Sequence, residues 1–72
     1  MELSVRRDPW YPLPSHNIIA SRCRVALLER RYNPQQCDGA IYTFAACWNG
    51  HPDNLDDSIT VWADALVLLV SC

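Results

Sequence analysis

The segment IIASRCRVALLER, residues 18–30, decides the fold class of this 72-residue chain, because it fits two kinds of secondary structure. As a strand it alternates between two faces, one with Cys23, Val25 and Leu27 and the other with Arg22, Arg24 and Ala26. As a helix it scatters its large apolar residues around the axis without forming a clear apolar face. Good helix formers, and a serine at position 15 that can cap a helix, keep the helical alternative open. The alternation nevertheless favours a strand over residues 21–30.

A second strand is predicted from the segment AIYTFAACW, residues 40–48. The segment is rich in aromatic and β-branched residues and is bounded by Gly39 and by Asn49-Gly50, as strands often are. In a strand, Tyr42, Phe44 and Trp48 would share one face. The intervening segment 33–39 carries the loop signals Asn-Pro and Asp-Gly. Residues 18–50 therefore predict an antiparallel hairpin.

The last element, residues 55–70, has the apolar spacing of an amphipathic helix. Asn54 can serve as the N-cap, and Asp56 and Asp57 suit the positive end of the helix dipole. One apolar stripe is formed by Leu55, Ile59, Trp62, Ala63, Leu66, Leu69 and Val70. Val61, Val67 and Leu68 lie off this stripe, so the helix has more apolar surface than one packing face requires.

Together these elements predict a single small domain of the α+β class over residues 1–72. Its sheet would have two or three antiparallel strands, with the C-terminal amphipathic helix packed on one face. Residues 1–17 contain three prolines within six positions, which predicts an extended arm. Trp10 and Tyr11 of this arm either pin it against the core or present it to a partner.

Composition limits the classes of function that the chain can have. The net charge is −2, and the longest apolar run, residues 65–70, is far shorter than a membrane span. No secretory leader is recognisable in the sequence, which predicts a cytoplasmic protein with reduced thiols and no membrane partner. The chain has only two glycines, and it shows neither a glycine-rich phosphate loop nor a convincing nucleophile–base pair. We therefore expect no enzymatic activity and no cofactor.

Two alternative functions depend on particular side chains. Arginines and aromatics on one face of a sheet could bind single-stranded RNA, a site that would comprise Arg22, Arg24, Arg30, Tyr42 and Trp48. A Cys/His metal-binding module would use Cys37, Cys47, His51 and His16. The closely spaced ligand pairs typical of zinc sites are absent, so we expect no bound metal.

The leading hypothesis is a non-enzymatic protein-interaction module that binds another protein or a second copy of itself. It rests on the surplus apolar surface of the last helix and on the aromatic arm. The predicted partner-binding residues are Trp10, Tyr11, Trp62, Leu66, Val67 and Leu69. The small size also fits an accessory protein of bacterial or phage type, such as an inhibitor of a host protein.

Overall fold

A computed structural model describes residues 15–71, and these residues form an all-α fold. The three helices are α1 (His16–Glu29), α2 (Asp38–Cys47) and α3 (Leu55–Ser71). Short 3-10 turns at Pro34–Cys37 and Pro52–Asn54 lead into α2 and α3. No strand occurs between residues 15 and 71. The predicted α+β class, with its antiparallel sheet and its hairpin over residues 18–50, is therefore wrong.

Residues 21–29, predicted as a strand, belong to α1, and residue 30 is its C-cap. The buried face of this helix consists mainly of small side chains, and a pattern of large apolar residues does not reveal it. The buried residues recur at helical spacing and are Ile19, Ala20, Cys23, Ala26 and Leu27. The large apolar residues Ile18, Val25 and Leu28 are exposed instead. Ser15 caps the helix, since its Oγ accepts the Ile18 N–H at 3.3 Å.

Residues 40–48 are also helical rather than extended. In α2, Ile41 and Ala45 are buried, while Phe44 and Trp48 are partly buried against the core. These positions recur every three or four residues, so the helix meets the core with one face. Tertiary packing here outweighs the β propensity of the aromatic and β-branched residues. The Thr43 hydroxyl donates to the Gly39 carbonyl at 2.9 Å, which accommodates that side chain in the helix.

The helix predicted for residues 55–70 is present as α3, and two ion pairs give its direction relative to α1. The Arg22 guanidinium lies 2.6 Å from the Asp56 carboxylate, and the Arg30 guanidinium lies 2.6 Å from Asp64. Both pairs join residues 34 positions apart. Equal offsets at two places eight residues apart require helices that run in the same direction. Because exposed ion pairs contribute little free energy, these pairs chiefly indicate the register.

The core is built on α1, against which both other helices pack. From α2 and its entry turn the core receives Cys37, Ile41 and Ala45, and from α3 it receives Leu55, Ile59 and Ala63. The aromatic rings of Phe44 and Trp62 bridge α2 and α3, with centroids 5.3 Å apart and planes tilted by 42°. Helices α2 and α3 thus meet through large side chains, while each lies close to α1.

Helix α1 ends in a Schellman motif, and Arg31 occupies its left-handed position. The Tyr32 N–H bonds to the Leu27 carbonyl and the Arg31 N–H bonds to the Leu28 carbonyl, both at 2.9 Å. Arg31 has φ 63°, which for a residue with a Cβ costs roughly 1–2 kcal/mol. Glycine is the residue that this position normally favours.

The prediction of an extended arm over residues 1–17 is wrong at its C-terminal end, because residues 16 and 17 belong to α1. The rest of that prediction, including Trp10 and Tyr11, lies outside the described residues. Within residues 15–71, no helix combines the length and the apolar character that crossing a lipid bilayer would require.

We expect the substitution Arg31→Gly to stabilise the protein by about 1 kcal/mol, because it relieves the strain of the left-handed backbone. For a domain of this size the melting temperature should rise by about 4–8 °C. Arg31→Ala is the matched control, since it removes the same charge and keeps a Cβ. Thermal melts followed by circular dichroism measure both variants, and equal effects of glycine and alanine would contradict the backbone explanation.

Candidate protein-interaction surface

The outward side of α3 carries an exposed apolar strip, which we call the outer face and define by Val61, Ala65 and Leu69. These residues follow each other at intervals of four and so lie along one side of the helix. Val61 is 69% exposed and Leu69 is 76% exposed. Segment 65–70, ALVLLV, contains no charged residue. An apolar strip of this kind on a small protein is typical of a protein-binding surface.

Ala65 and Leu69 of the outer face project past α1 because α3 is longer than the helix it packs on. With the offset of 34 residues, the end of α1 at Glu29 lies level with residue 63 of α3. The remaining eight residues of α3 extend about 12 Å past this level. Leu66 and Val67 still pack against the core, partly buried. The opposite side of the same turns has no helix over it among residues 15–71.

A second surface, which we call the aromatic groove, runs between α2 and α3. Its floor is formed by Phe44, Trp48 and Trp62, which are all partly buried. Two adjoining depressions, of about 520 and 550 Å³, share Phe44 and Trp62. The groove follows from the aromatic contact between α2 and α3, since bulky rings hold the two helices apart.

One end of the aromatic groove is lined by polar residues. Asn54, Asp57 and Ser58, at the start of α3, line this end. At the other side, the ring of Trp48 lies over Gly50, where an added Cβ would come within 3.1 Å of the ring. A side chain at position 50 would therefore require the Trp48 ring to shift by a few tenths of an ångström.

The predicted partner-binding residues occupy different environments in the structure. Trp62 lines the aromatic groove, and Leu66 and Val67 are partly buried against the core. Leu69 lies on the outer face. Trp10 and Tyr11 lie outside the described residues.

Sequence reasoning did not select Phe44, Val61 or Ala65 for the surface. The i, i+4 spacing of Phe44 and Trp48 places both rings on one side of a helix, but two residues four apart also share one face of a strand, so the spacing does not distinguish the two structures. Val61 was noted as lying off the main stripe, yet its place beside the groove requires knowledge of how α2 packs.

The residues predicted for RNA binding do not form a shared face. There is no sheet in residues 15–71, and the three arginines pair with carboxylates of α2 and α3. Arg24 lies 3.8 Å from Asp38, and Arg22 and Arg30 pair with Asp56 and Asp64. Tyr42 is exposed on α2, whereas Trp48 lies in the aromatic groove. The predicted sheet face of arginines and aromatic residues is therefore absent from residues 15–71.

The predicted metal ligands are likewise separated or engaged elsewhere. Cys37 is buried before the first residue of α2, and Cys47 is exposed at its last residue. His51 Nδ1 accepts the Asp53 N–H at 3.3 Å, which caps the turn before α3. Residues 15–71 contain no cluster of three or more side chains suited to a metal ion.

The Cys23 thiol is fully buried at the centre of α1. Loss of solvation raises the pKa of this thiol to about 11, against a smaller opposing effect of the Arg24 charge. A reactive cysteine needs a lowered pKa and access to solvent. Cys23 therefore acts as a small apolar core residue.

No protein-family model matches this chain, and no curated protein or solved structure matches it either. The described residues offer two surfaces for binding, the outer face and the aromatic groove. The outer face is apolar, and the aromatic floor of the groove is bordered by polar residues that include Cys47, Asp57 and Ser58.

We expect the free energy of unfolding to fall as the pH rises from about 9 to 11, by roughly 2 kcal/mol. In this range the unfolded chain ionises Cys23, while the folded chain keeps the thiol protonated, so the unfolded state is favoured. Urea titrations at several pH values measure the effect. The variant Cys23→Ala should show a shallower decline, and an unchanged slope would contradict the assignment to Cys23.

Proposed function

We propose that this chain is a non-enzymatic protein-interaction module that associates with a second copy of itself through the outer face of α3. The observation that carries the proposal is an exposed, uncharged apolar strip along the end of the longest helix. Burying one exposed leucine contributes about 1.5–3 kcal/mol, so such a strip gains from a partner.

The outer face fits a two-fold pairing of α3 with α3 of a second copy. If two helices cross antiparallel at Ala65, Val61 of one copy meets Leu69 of the other. The same pairing occurs twice, as a symmetric interface requires. The small side chain of Ala65 at the crossing point lets the helices approach closely, and Asp64 is already paired with Arg30. Antiparallel helices also align their dipoles favourably.

We expect the association to be reversible and dependent on concentration. A standard interface buries about 800 Å² on each partner, and one face of a single helix offers less than this. Apolar area is also offset by the entropy lost on association. The module should therefore exchange between monomer and dimer.

Other parts of the sequence hypothesis stay predictions. These are the cytoplasmic location and a role as an inhibitor of a host protein. Binding of RNA is not favoured, because the three arginines of α1 pair with carboxylates of the same chain.

We expect the substitution Leu69→Asp to keep the protein monomeric at concentrations where the wild type dimerises. The substitution removes about 3 kcal/mol of apolar burial, summed over the two copies, and this raises the dissociation constant of the dimer by about 100-fold. Light scattering across a dilution series measures the solution mass. A wild type that stays monomeric at every concentration would contradict the proposal.

The matched control is Leu28→Asp, which places the same charge at another exposed leucine. Leu28 is 60% exposed and lies on α1, away from the outer face. This variant should dimerise like the wild type. Substitution of Val67 is less informative, because Val67 packs against the core and its loss tests folding as well.

A further inference from the structure

We infer that residues 9–14, PWYPLP, dock in the aromatic groove of their own chain as an extended polyproline-type segment. This inference goes beyond the proposed function, because it concerns the groove rather than the outer face. Three observations support it: the chemistry of the groove, the charge at its edge and the reach of the chain.

The chemistry of the groove suits a proline-rich ligand. Grooves lined by aromatic rings bind P-x-x-P segments, since the rings pack between prolines and the ligand loses little conformational entropy. The floor here consists of Phe44, Trp48 and Trp62. Pro9, Trp10, Tyr11 and Pro12 form a P-x-x-P sequence, which Leu13 and Pro14 extend with further apolar surface.

The charge at the edge of the groove is complementary to the residues that precede the prolines. Asp57 lines the polar end of the groove, whereas Asp53, in the turn just before α3, lies 3.5 Å from the His51 ring. Arg22 and Arg24 of α1 and Arg30 at its C-cap are already paired with Asp56, Asp38 and Asp64. Arg6 and Arg7 lie ahead of Pro9, separated from it by Asp8, and supply two cations on the same segment.

The chain is long enough to reach the groove. Since α1 and α3 run in the same direction with Arg22 beside Asp56, Ser15 lies at the end of the bundle where α3 begins. Ser15 precedes Arg22 by seven residues, about 10 Å along the axis. Residues 9–14 directly precede Ser15 and span about 20 Å when extended, which is the length of groove that they can cover.

Attachment to the same chain favours this occupant over a separate one. A short tether gives an effective concentration of the order of 1 mM. A segment that would bind only weakly as a free peptide therefore occupies the groove for much of the time. Docking in the same chain also covers the three aromatic rings without a second protein.

The test is the observation of nuclear Overhauser effects between the rings of Trp10 or Tyr11 and those of Phe44, Trp48 or Trp62. The full-length Leu69→Asp variant is the sample, so that self-association through the outer face does not interfere. We expect these effects in a uniformly labelled sample and their absence in an isotope-filtered mixture of labelled and unlabelled chains. Effects in the mixture would assign the segment to a second copy, and no effects in either sample would exclude docking; both overturn the inference.

Substitutions provide a second readout. Trp10→Ala should shift the indole N–H signals of Trp48 and Trp62, whereas Tyr42→Ala, which removes an exposed aromatic ring outside the groove, should not. Equal responses to Trp10→Ala and Tyr42→Ala would overturn the inference. Failure of the dimer experiment would leave it unaffected, because Leu69, the residue that the dimer experiment changes, does not line the groove, although Val61 borders both surfaces.

Discussion

The packing of α2 and α3 against the small side chains of α1 is the contact on which the rest of the structure depends. The side chains of Ala20, Cys23 and Ala26 are small, so both neighbouring helices lie close to the axis of α1. One helix thus provides most of the contacts that hold the described residues together. This arrangement lets a short chain bury a continuous core, although a chain of this size has little stability to spare.

The same arrangement produces both candidate surfaces. Because α2 and α3 each pack on α1, they meet each other only through large side chains, and the rings of Phe44 and Trp62 keep a groove open between them. Because α1 ends level with residue 63, the last turns of α3 project past it and expose the Ala65 and Leu69 end of the outer face. The groove and this end of the outer face therefore follow from a difference in side-chain size and a difference in helix length.

The sequence was informative where large apolar residues marked the packing face, and uninformative where small residues did. In α3, Leu55 and Ile59 recur at helical spacing after two aspartates, which made the helix predictable. In α1, two alanines and a cysteine separate Ile19 from Leu27 on the buried face, and the large residues Ile18, Val25 and Leu28 are exposed, so the large apolar residues alone do not mark that face. In α2, the local β propensity conflicted with the helical spacing of Phe44 and Trp48, and the tertiary contacts determined the outcome. The groove could not be predicted, because it needs the relative placement of two helices.

The projection of α3 past α1 also has a consequence for backbone order. An isolated stretch of helix in water is only marginally stable, and packing normally supplies what the propensity of β-branched residues does not. The turns around Ala65 and Leu69 receive such support on one side only. Their hydrogen bonds should open at a lower free energy than those of α1, so their amide protons exchange sooner. Any protein that covers the outer face would slow that exchange, because binding would stabilise the hydrogen bonds in the last turns of α3.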